Sequence, residues 1–531
     1  MSLPGNSQLN SFKIRAGVFL VAACVIAYPS LQGQSSISAP QHAFFHVTLS
    51  DKFAQPVSGR LLVFVAPDSG DNAKAVDMNM MAPNSVFIAA KEIGALEPGK
   101  TIDIDADDVV FPKPLSQATS GTYRVQAVLD VNHSYNYDGR GPGDILSDTA
   151  AITVPLGDAS SPTLTLTQVV PQPPDPLAAQ PDLVAALKPI DFVSPALSRF
   201  WGRDTHMRGW VLLPPGYASH PKSRYPTVYF THGFGGTLQT IRTRMTPPLY
   251  ERMKQGRMPE MIWVLLDESS PTGTHEFADS VNNGPWGKAL TTELIPHLEA
   301  TYRMDARVSG RFLQGHSSGG WATLWLQTRY PKVFGGTWST SPDPSDFHYF
   351  STIDLYAPHA NFYRSPDGTP SPILRVHGQP LATMQQLTSL ESVLGPYGGQ
   401  FSSFEWVFSP RGADGRPMQL FDRASGEIDP AVAAYWRKHY DIVEYLNDNW
   451  QSIGPDLRNK IHLFVGTDDT FYLDGAAHSL ESTLNRLGGE PHFTFLPGRS
   501  HFDVYVEGAD RYALLDRIAA EMYKVARPNT H

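Results

Sequence analysis

The sequence is nearly without cysteine. Of 531 residues only Cys24 is one, which excludes an intramolecular disulfide framework and any metal site built on thiolates. Charge is sparse too. Asp, Glu, Lys and Arg make up 18% of the chain, and acids outnumber bases 52 to 42 for a net charge of −10. Such a chain lacks the basic surface that non-specific nucleic-acid binding needs, so no nucleic-acid partner is expected. An H-E-x-x-H zinc pattern is missing as well, and neither metal nor organic cofactor is expected. Long apolar runs are confined to the first thirty residues. What is abundant is punctuation: 45 prolines and 43 glycines favour many turns over long helices.

The one long apolar run, 16–27, follows the basic residues Lys13 and Arg15. It is short for a transmembrane helix and has the make-up of a secretory signal, with Ala27 as a small residue at the cleavage point. Residues 1–33 are therefore read as a secretory segment, and the protein as secreted or periplasmic. Val21-Ala22-Ala23-Cys24 supports a rival reading, a lipoprotein anchored through Cys24. No other segment is long and apolar enough to be a stable membrane span.

Short apolar runs follow: Phe44 to Leu49, Gly59 to Val65, Ser85 to Ala90, Gly121 to Leu129 and Ala150 to Val154. Their alternation and β-branching predict strands, and 42–156 is read as an all-β, loosely Ig-like sandwich. Asp130, Asn132, His133 and Asp138 crowd the loop after the clearest strand. Their spacing does not match a calcium loop, and turn formation explains them. Residues 157–190, with Pro171-Gln172-Pro173-Pro174-Asp175-Pro176, read as a proline-rich linker; Thr163-Leu164-Thr165-Leu166 inside it alternates like an edge strand.

From 191 to 527 the pattern becomes strand alternating with helix, the signature of a mostly parallel sheet covered on both faces. Ligands on such sheets bind at the carboxyl ends of the strands. One of those ends reads Gly315-His316-Ser317-Ser318-Gly319-Gly320, between the apolar Arg311-Phe312-Leu313-Gln314 and a helical run from Trp321. Strand, G-x-S-x-G, helix is the setting that lifts a serine onto a strained turn as a nucleophile.

A serine hydroxyl needs a base, and the base needs a carboxylate to hold its tautomer. His501 follows the strand His492 to Leu496 and is the candidate base. His462 and His492 lie within strands and His478 within a helix. The acid is open among three residues: Asp468 and Asp469, adjacent after the Ile461 strand, and Asp343, after the strand that follows the elbow. Two backbone N–H groups should hold the developing oxyanion. One is that of Ser318. The other comes from the glycine-rich turn Thr231-His232-Gly233-Phe234-Gly235-Gly236, from Phe234 or Gly233. A long segment between elbow and acid, about 346–449, is read as an insertion. Its Phe404, Trp406, Trp436 and Trp450 either line a substrate pocket or pack the insertion down.

These motifs resemble the esterase D-like branch of the α/β-hydrolases, which includes S-formylglutathione hydrolases, feruloyl and acetylxylan esterases, siderophore esterases and mycolyltransferases. The resemblance spans about 191–527. It rests on Val211-Leu212-Leu213-Pro214-Pro215-Gly216-Tyr217, the His232-Gly233 turn, Glu293-Leu294-Ile295-Pro296, the elbow, Gly466-Thr467-Asp468-Asp469-Thr470-Phe471 and Gly498-Arg499-Ser500-His501. It implies an α/β-hydrolase fold, a nucleophile at Ser317 and a base at His501. Through a G-x-x-D-x-F pattern it implies the acid at Asp469. It further implies hydrolysis of a small-molecule or glycan-linked carboxylic ester through an acyl-enzyme. Departures from the family are the export segment, the β-region and the long insertion, which argue against a cytosolic glutathione-thioester role. An acyltransferase on the same triad, a secreted peptidase and a non-catalytic glycan-binding protein are the alternatives.

Overall fold

The computed structural model describes residues 42–70, 74–79, 82–156, 162–395 and 398–529. Segment 1–33, expected to be a secretory signal and containing Cys24, lies outside the described residues. No helix among the described residues is long and apolar enough to cross a membrane.

In the N-terminal β-region, strand Gly121–Asp130 is the hub. One edge pairs antiparallel with Val57–Pro67, and the other with Ala150–Val154 and then Ile145–Ser147. Phe44–Leu49 joins Thr101–Asp105 on one side and, in parallel, Thr163–Val169 on the other. The stretch expected to be a linker is therefore mostly structured. Leu164 and Leu166 are buried in the β-core, and helix Pro181–Ala186 and strand Leu187–Val193 fill its far end. Alternating Thr and Leu suits a strand with one covered face, which outweighs the proline-rich tract beside it. Gly94-Ala95-Leu96-Glu97-Pro98-Gly99-Lys100-Thr101 has the spacing of a phosphate-binding loop. It covers the end of strand Phe87–Leu96, the turn 97–100 and the first residue of strand Thr101–Asp105, with no helix behind it to receive a phosphate. Asp130 accepts from the backbone N–H groups of Asn132, Ser134 and Tyr135, a turn-forming role.

Val57–Pro67 is buried from Gly59's neighbour Arg60 to Ala66, on both faces. Leu61, Val63 and Val65 face the β-core. Leu62, Phe64 and Ala66 face outward onto Leu390, Val393 and Leu394 of helix Met384–Leu394, which belongs to the insertion. The last carbonyls of that helix lack partners within it. Arg60 Nε and Nη2 donate to Val393 O at 3.2 and 2.8 Å, and Asn136 Nδ2 donates to Glu391 O and Gly395 O at 3.1 and 3.0 Å. A cation at a helix C-terminus also complements its dipole. Charge-assisted bonds of this kind contribute roughly 1.5–3 kcal/mol each.

The second sheet has eight strands in the order Leu187–Val193, His206–Leu212, Ile262–Leu266, Thr227–Thr231, Arg311–His316, Gly336–Thr340, Ile461–Gly466, His492–Leu496. His206–Leu212 runs antiparallel to both neighbours, and all later pairings are parallel. Side-chain alternation sends Val228 and Phe230 to one face, against helices Thr246–Lys254 and Ala513–Ala526. Tyr229 goes to the other, against Leu290, Leu294, Leu298 and Leu326. This is the α/β-hydrolase arrangement. The helix after the elbow, Ser318–Arg329, is buried almost all round because the insertion covers its outer side. Trp321 stacks on Trp325 and meets Phe408, and Trp325 meets Tyr440. Phe404 and Trp436 are buried in this aromatic layer and Trp450 packs against it. These aromatics therefore hold the insertion down.

Candidate active site

Two small residues let the elbow form. A methyl at Gly315 would stand 2.2 Å from Gly319 O, and one at Gly319 would stand 2.3 Å from the Thr231 and His232 carbonyls. Strand, helix and the glycine-rich turn cross so closely that no side chain fits between them. Ser317 takes φ 61° and ψ −127°, a conformation costing a non-glycine residue about 1–3 kcal/mol. Its N–H donates to Thr340 O at 3.1 Å, and its carbonyl accepts from Trp321 and Asp343 N–H at 3.0 and 3.2 Å. The strain is thus held from both sides. Behind it, Gln314 Nε2 donates to the Tyr505 hydroxyl at 2.8 Å, and that hydroxyl lies 2.6 Å from Thr340 Oγ1, which donates to Gly315 O.

His501 is buried, and its Nδ1 donates to Asp469 Oδ2 at 2.9 Å. Asp469 Oδ1 accepts from the N–H groups of Phe471 and Leu473 at 2.9 and 3.4 Å. Burial alone would raise the Asp469 carboxyl; the His501 ring and these N–H groups outweigh it and hold the group below the ordinary carboxylate range. Asp468, one residue away, turns outward to Gly378 N–H at 2.9 Å and Arg375 Nε at 3.4 Å. Asp343 accepts from Ser318 Oγ at 2.6 Å. Burial pushes its carboxyl up to about 6, with Asp469 adding to the effect and the Ser318 hydroxyl and His501 opposing it. Side-chain hydrogen bonds join His501 to Asp469 and Ser318 to Asp343, and among the described residues none joins Ser317 Oγ to His501.

The glycine-rich turn lies directly on the serine: a methyl at Gly233 would stand 2.9 Å from Ser317 Cβ. The N–H groups of Phe234 and Ser318 donate to no other described residue, so both remain available to an incoming oxygen. His232 fixes the turn. Its Nδ1–H donates to Gly233 O at 2.9 Å, while its Nε2 accepts from Glu268 N–H at 2.9 Å.

Several neighbours are given no role by the sequence. The His316 ring lies 4.5 Å from that of His501. Burial, with His501 beside it, lowers its pKa to about 3 and keeps it neutral. Phe471 and Phe502 meet the His501 ring edge to face, and Phe502 is 70% exposed. Gln400, from the insertion, brings Nε2 to 3.5 Å from Ser318 Oγ. Gln400 becomes visible only when segments distant in sequence are folded together.

Glu268 is fully buried, 4.0 Å from His232 Nδ1 at its nearer oxygen, and neither carboxyl oxygen has a partner among the described residues. Burial pushes its pKa from 4.5 up to about 8. The folded chain therefore keeps this proton where the unfolded chain has lost it, and stability falls as pH rises from about 4.5 through about 8. Glu268→Gln removes this contribution. Melting curves from pH 5 to 9 should show the wild-type Tm falling by several degrees more than that of the variant, and parallel curves would refute a proton on Glu268.

Comparison with known proteins adds the following. The family model described as "Putative esterase" matches residues 202–485, a span that includes Ser317 and Asp469 and ends before His501. Two esterases of Mycobacterium tuberculosis, from two strains, are 29% identical over 140 residues, which is 25% of this chain. The chain spans about 29% of the length of these relatives. Among solved structures, a ferulic acid esterase is similar at 14% identity and a TM-score of 0.41, covering 64% of this chain and 98% of that one. An S-formylglutathione hydrolase from Agrobacterium tumefaciens is similar at 14% identity and a TM-score of 0.36, covering 64% and 94%.

Proposed function

The chain belongs to this esterase family, and from that premise we propose that it is an exported serine hydrolase that cleaves carboxylic esters through an acyl-enzyme. The observation that carries the reading is the His501–Asp469 pair, 2.9 Å apart and buried, on the strand ends next to a serine held in a strained turn. Export is supported by the basic residues and apolar run of segment 1–33.

Ser317 Oγ attacks the ester carbonyl, and His501 Nε2 takes its proton. In uncomplexed sites that contact commonly closes only around substrate. Asp469 holds the Nδ1–H tautomer and stabilises the imidazolium, without taking the proton itself. The N–H groups of Ser318 and Phe234 bind the oxyanion of the tetrahedral intermediate. When it collapses, the C–O bond to the alcohol breaks and the alcohol leaves with the proton from His501. Water, deprotonated by His501, then attacks the acyl-enzyme, releasing the carboxylic acid and restoring Ser317.

Mass spectrometry after labelling with a fluorophosphonate, alongside assays with short-chain p-nitrophenyl esters, tests this. One adduct on the Ser317 peptide together with ester turnover is expected. Folded protein with neither adduct nor turnover would overturn the reading.

A further inference from the structure

The N-terminal β-region does more than cap the insertion. Its strand Gly121–Asp130 runs into a short helix, Tyr135–Asp138, and Tyr137 there stands between the glycine-rich turn and the insertion. On one side a methyl at Gly235 would lie 2.9 Å from the Tyr137 carbonyl oxygen. Gly235 follows Phe234 in the turn that offers the oxyanion donors, and it holds φ 79°. On the other side a methyl at Gly398 would lie 2.7 Å from Tyr137 Cδ1 and 3.0 Å from Cε1. Gly398 stands two residues before Gln400, whose Nε2 is 3.5 Å from Ser318 Oγ. Backbone and ring of one residue thus touch the oxyanion turn and the insertion at once. Two glycines are what let them come so close.

The contact is anchored. Asn136, the preceding residue, donates to Glu391 O and Gly395 O, and Arg60 holds Val393 O. Beneath them Tyr135 is buried in the apolar layer that joins the β-region to Leu390, Val393 and Leu394. Within the insertion, Glu391 accepts from Gln400 N–H at 2.7 Å and Phe401 N–H at 3.3 Å. The β-region is therefore coupled through helix Met384–Leu394 to the start of helix Gln400–Phe408, which faces the elbow. A mobile appendage would leave these polar groups to water. Here they are joined to the walls of the site.

We propose that the Tyr137 segment of the β-region is itself a wall of the substrate site and sets the size of ester the site admits. The inference rests on the ester-hydrolase reading and names a specificity residue for it. The Tyr137 carbonyl bears on the turn and its ring on the insertion, so the residue fixes the gap between them, and loss of the ring frees the insertion side of that gap.

In the full-length chain, Tyr137→Ala is expected to raise the ratio of kcat/KM for p-nitrophenyl benzoate to that for p-nitrophenyl acetate by about 10-fold or more, the scale on which pocket walls discriminate. Tyr137→Phe, which keeps the ring on Gly398, is expected to retain the wild-type ratio. Hydrogen exchange at amides 398–404, beside the ring, gives a readout independent of turnover: exchange should be faster in Tyr137→Ala than in wild type or Tyr137→Phe. An unchanged ester ratio in folded Tyr137→Ala protein would overturn the proposal. If the wild type hydrolyses neither ester, the hydrolase reading has failed. The exchange data then decide alone, with unchanged protection removing the wall and faster exchange keeping it. Should the alanine chain not fold, Tyr137→Leu, which keeps bulk but not a planar ring, gives the same readings.

Discussion

Ser317→Ala is expected to lower kcat/KM for p-nitrophenyl acetate by about 10⁵-fold, with far-UV circular dichroism unchanged. In the proposed mechanism the hydroxyl is the group that forms the acyl-enzyme. What remains without it is binding plus the Ser318 and Phe234 N–H groups, worth about 10³-fold over water in related chemistry. Alanine keeps the strained φ of 61°, so Tm should stay near the wild-type value. Ser317→Gly should be just as inactive but more stable by about 1 kcal/mol, because glycine adopts that backbone without a Cβ clash. A stabilised, inactive glycine variant would establish that the fold bears strain here for the sake of the serine. An alanine variant with activity within 10-fold of wild type would remove Ser317 from the mechanism.

Asp469→Asn should cost about 10⁴-fold in kcat, since the amide favours the wrong imidazole tautomer while leaving the geometry intact. The neighbours separate the roles. Asp468 is engaged with Gly378 N–H and Arg375, so Asp468→Asn should change kcat by no more than about 3-fold, within the range of a side chain outside the chemistry. Asp343 accepts from Ser318 Oγ, next to an oxyanion donor, and Asp343→Asn should fall between the two. Measured kcat values in that order assign the acid. A loss for Asp343→Asn equal to that for Asp469→Asn would move the assignment to Asp343.

These expectations differ in how far the sequence alone could support them. The elbow is legible because its determinants are contiguous: two glycines, a serine, an apolar strand before and an apolar helix after. His501 is legible for the same reason, as a histidine just past a strand. The choice between Asp468 and Asp469 is not, because adjacent loop residues point in different directions and spacing says nothing about which one faces inward. Only the resemblance favoured Asp469; the fold adds the cause, since Asp469 is buried under the N–H groups of Phe471 and Leu473.

Two signals stood in the sequence but needed a partner to be understood. Within the run Gly59 to Val65, Leu61-Leu62-Val63-Phe64-Val65 departs from the alternation of its neighbours and is continuously apolar, as a strand covered on both faces must be. Ser318–Arg329 carries Trp321, Leu324, Trp325 and Leu326 around more than one face, more than a helix with a single covered side requires. Each announces a missing cover. The covers are helix Met384–Leu394 for the strand and the aromatic layer of the insertion for the helix, hundreds and tens of residues away respectively.

The sequence by itself determined the strands around the elbow, the alternation that makes a two-faced sheet, the elbow and the loops that carry Asp469 and His501. These follow from propensity, period and turn chemistry, which act over a few residues. Only the tertiary structure decided that Asp469, not Asp468, meets His501, that Arg60 caps a helix 333 residues away, and that Tyr137 reaches the oxyanion turn. Such pairings are set by which buried polar groups and apolar faces can be satisfied together once the chain is compact, and no local pattern records that.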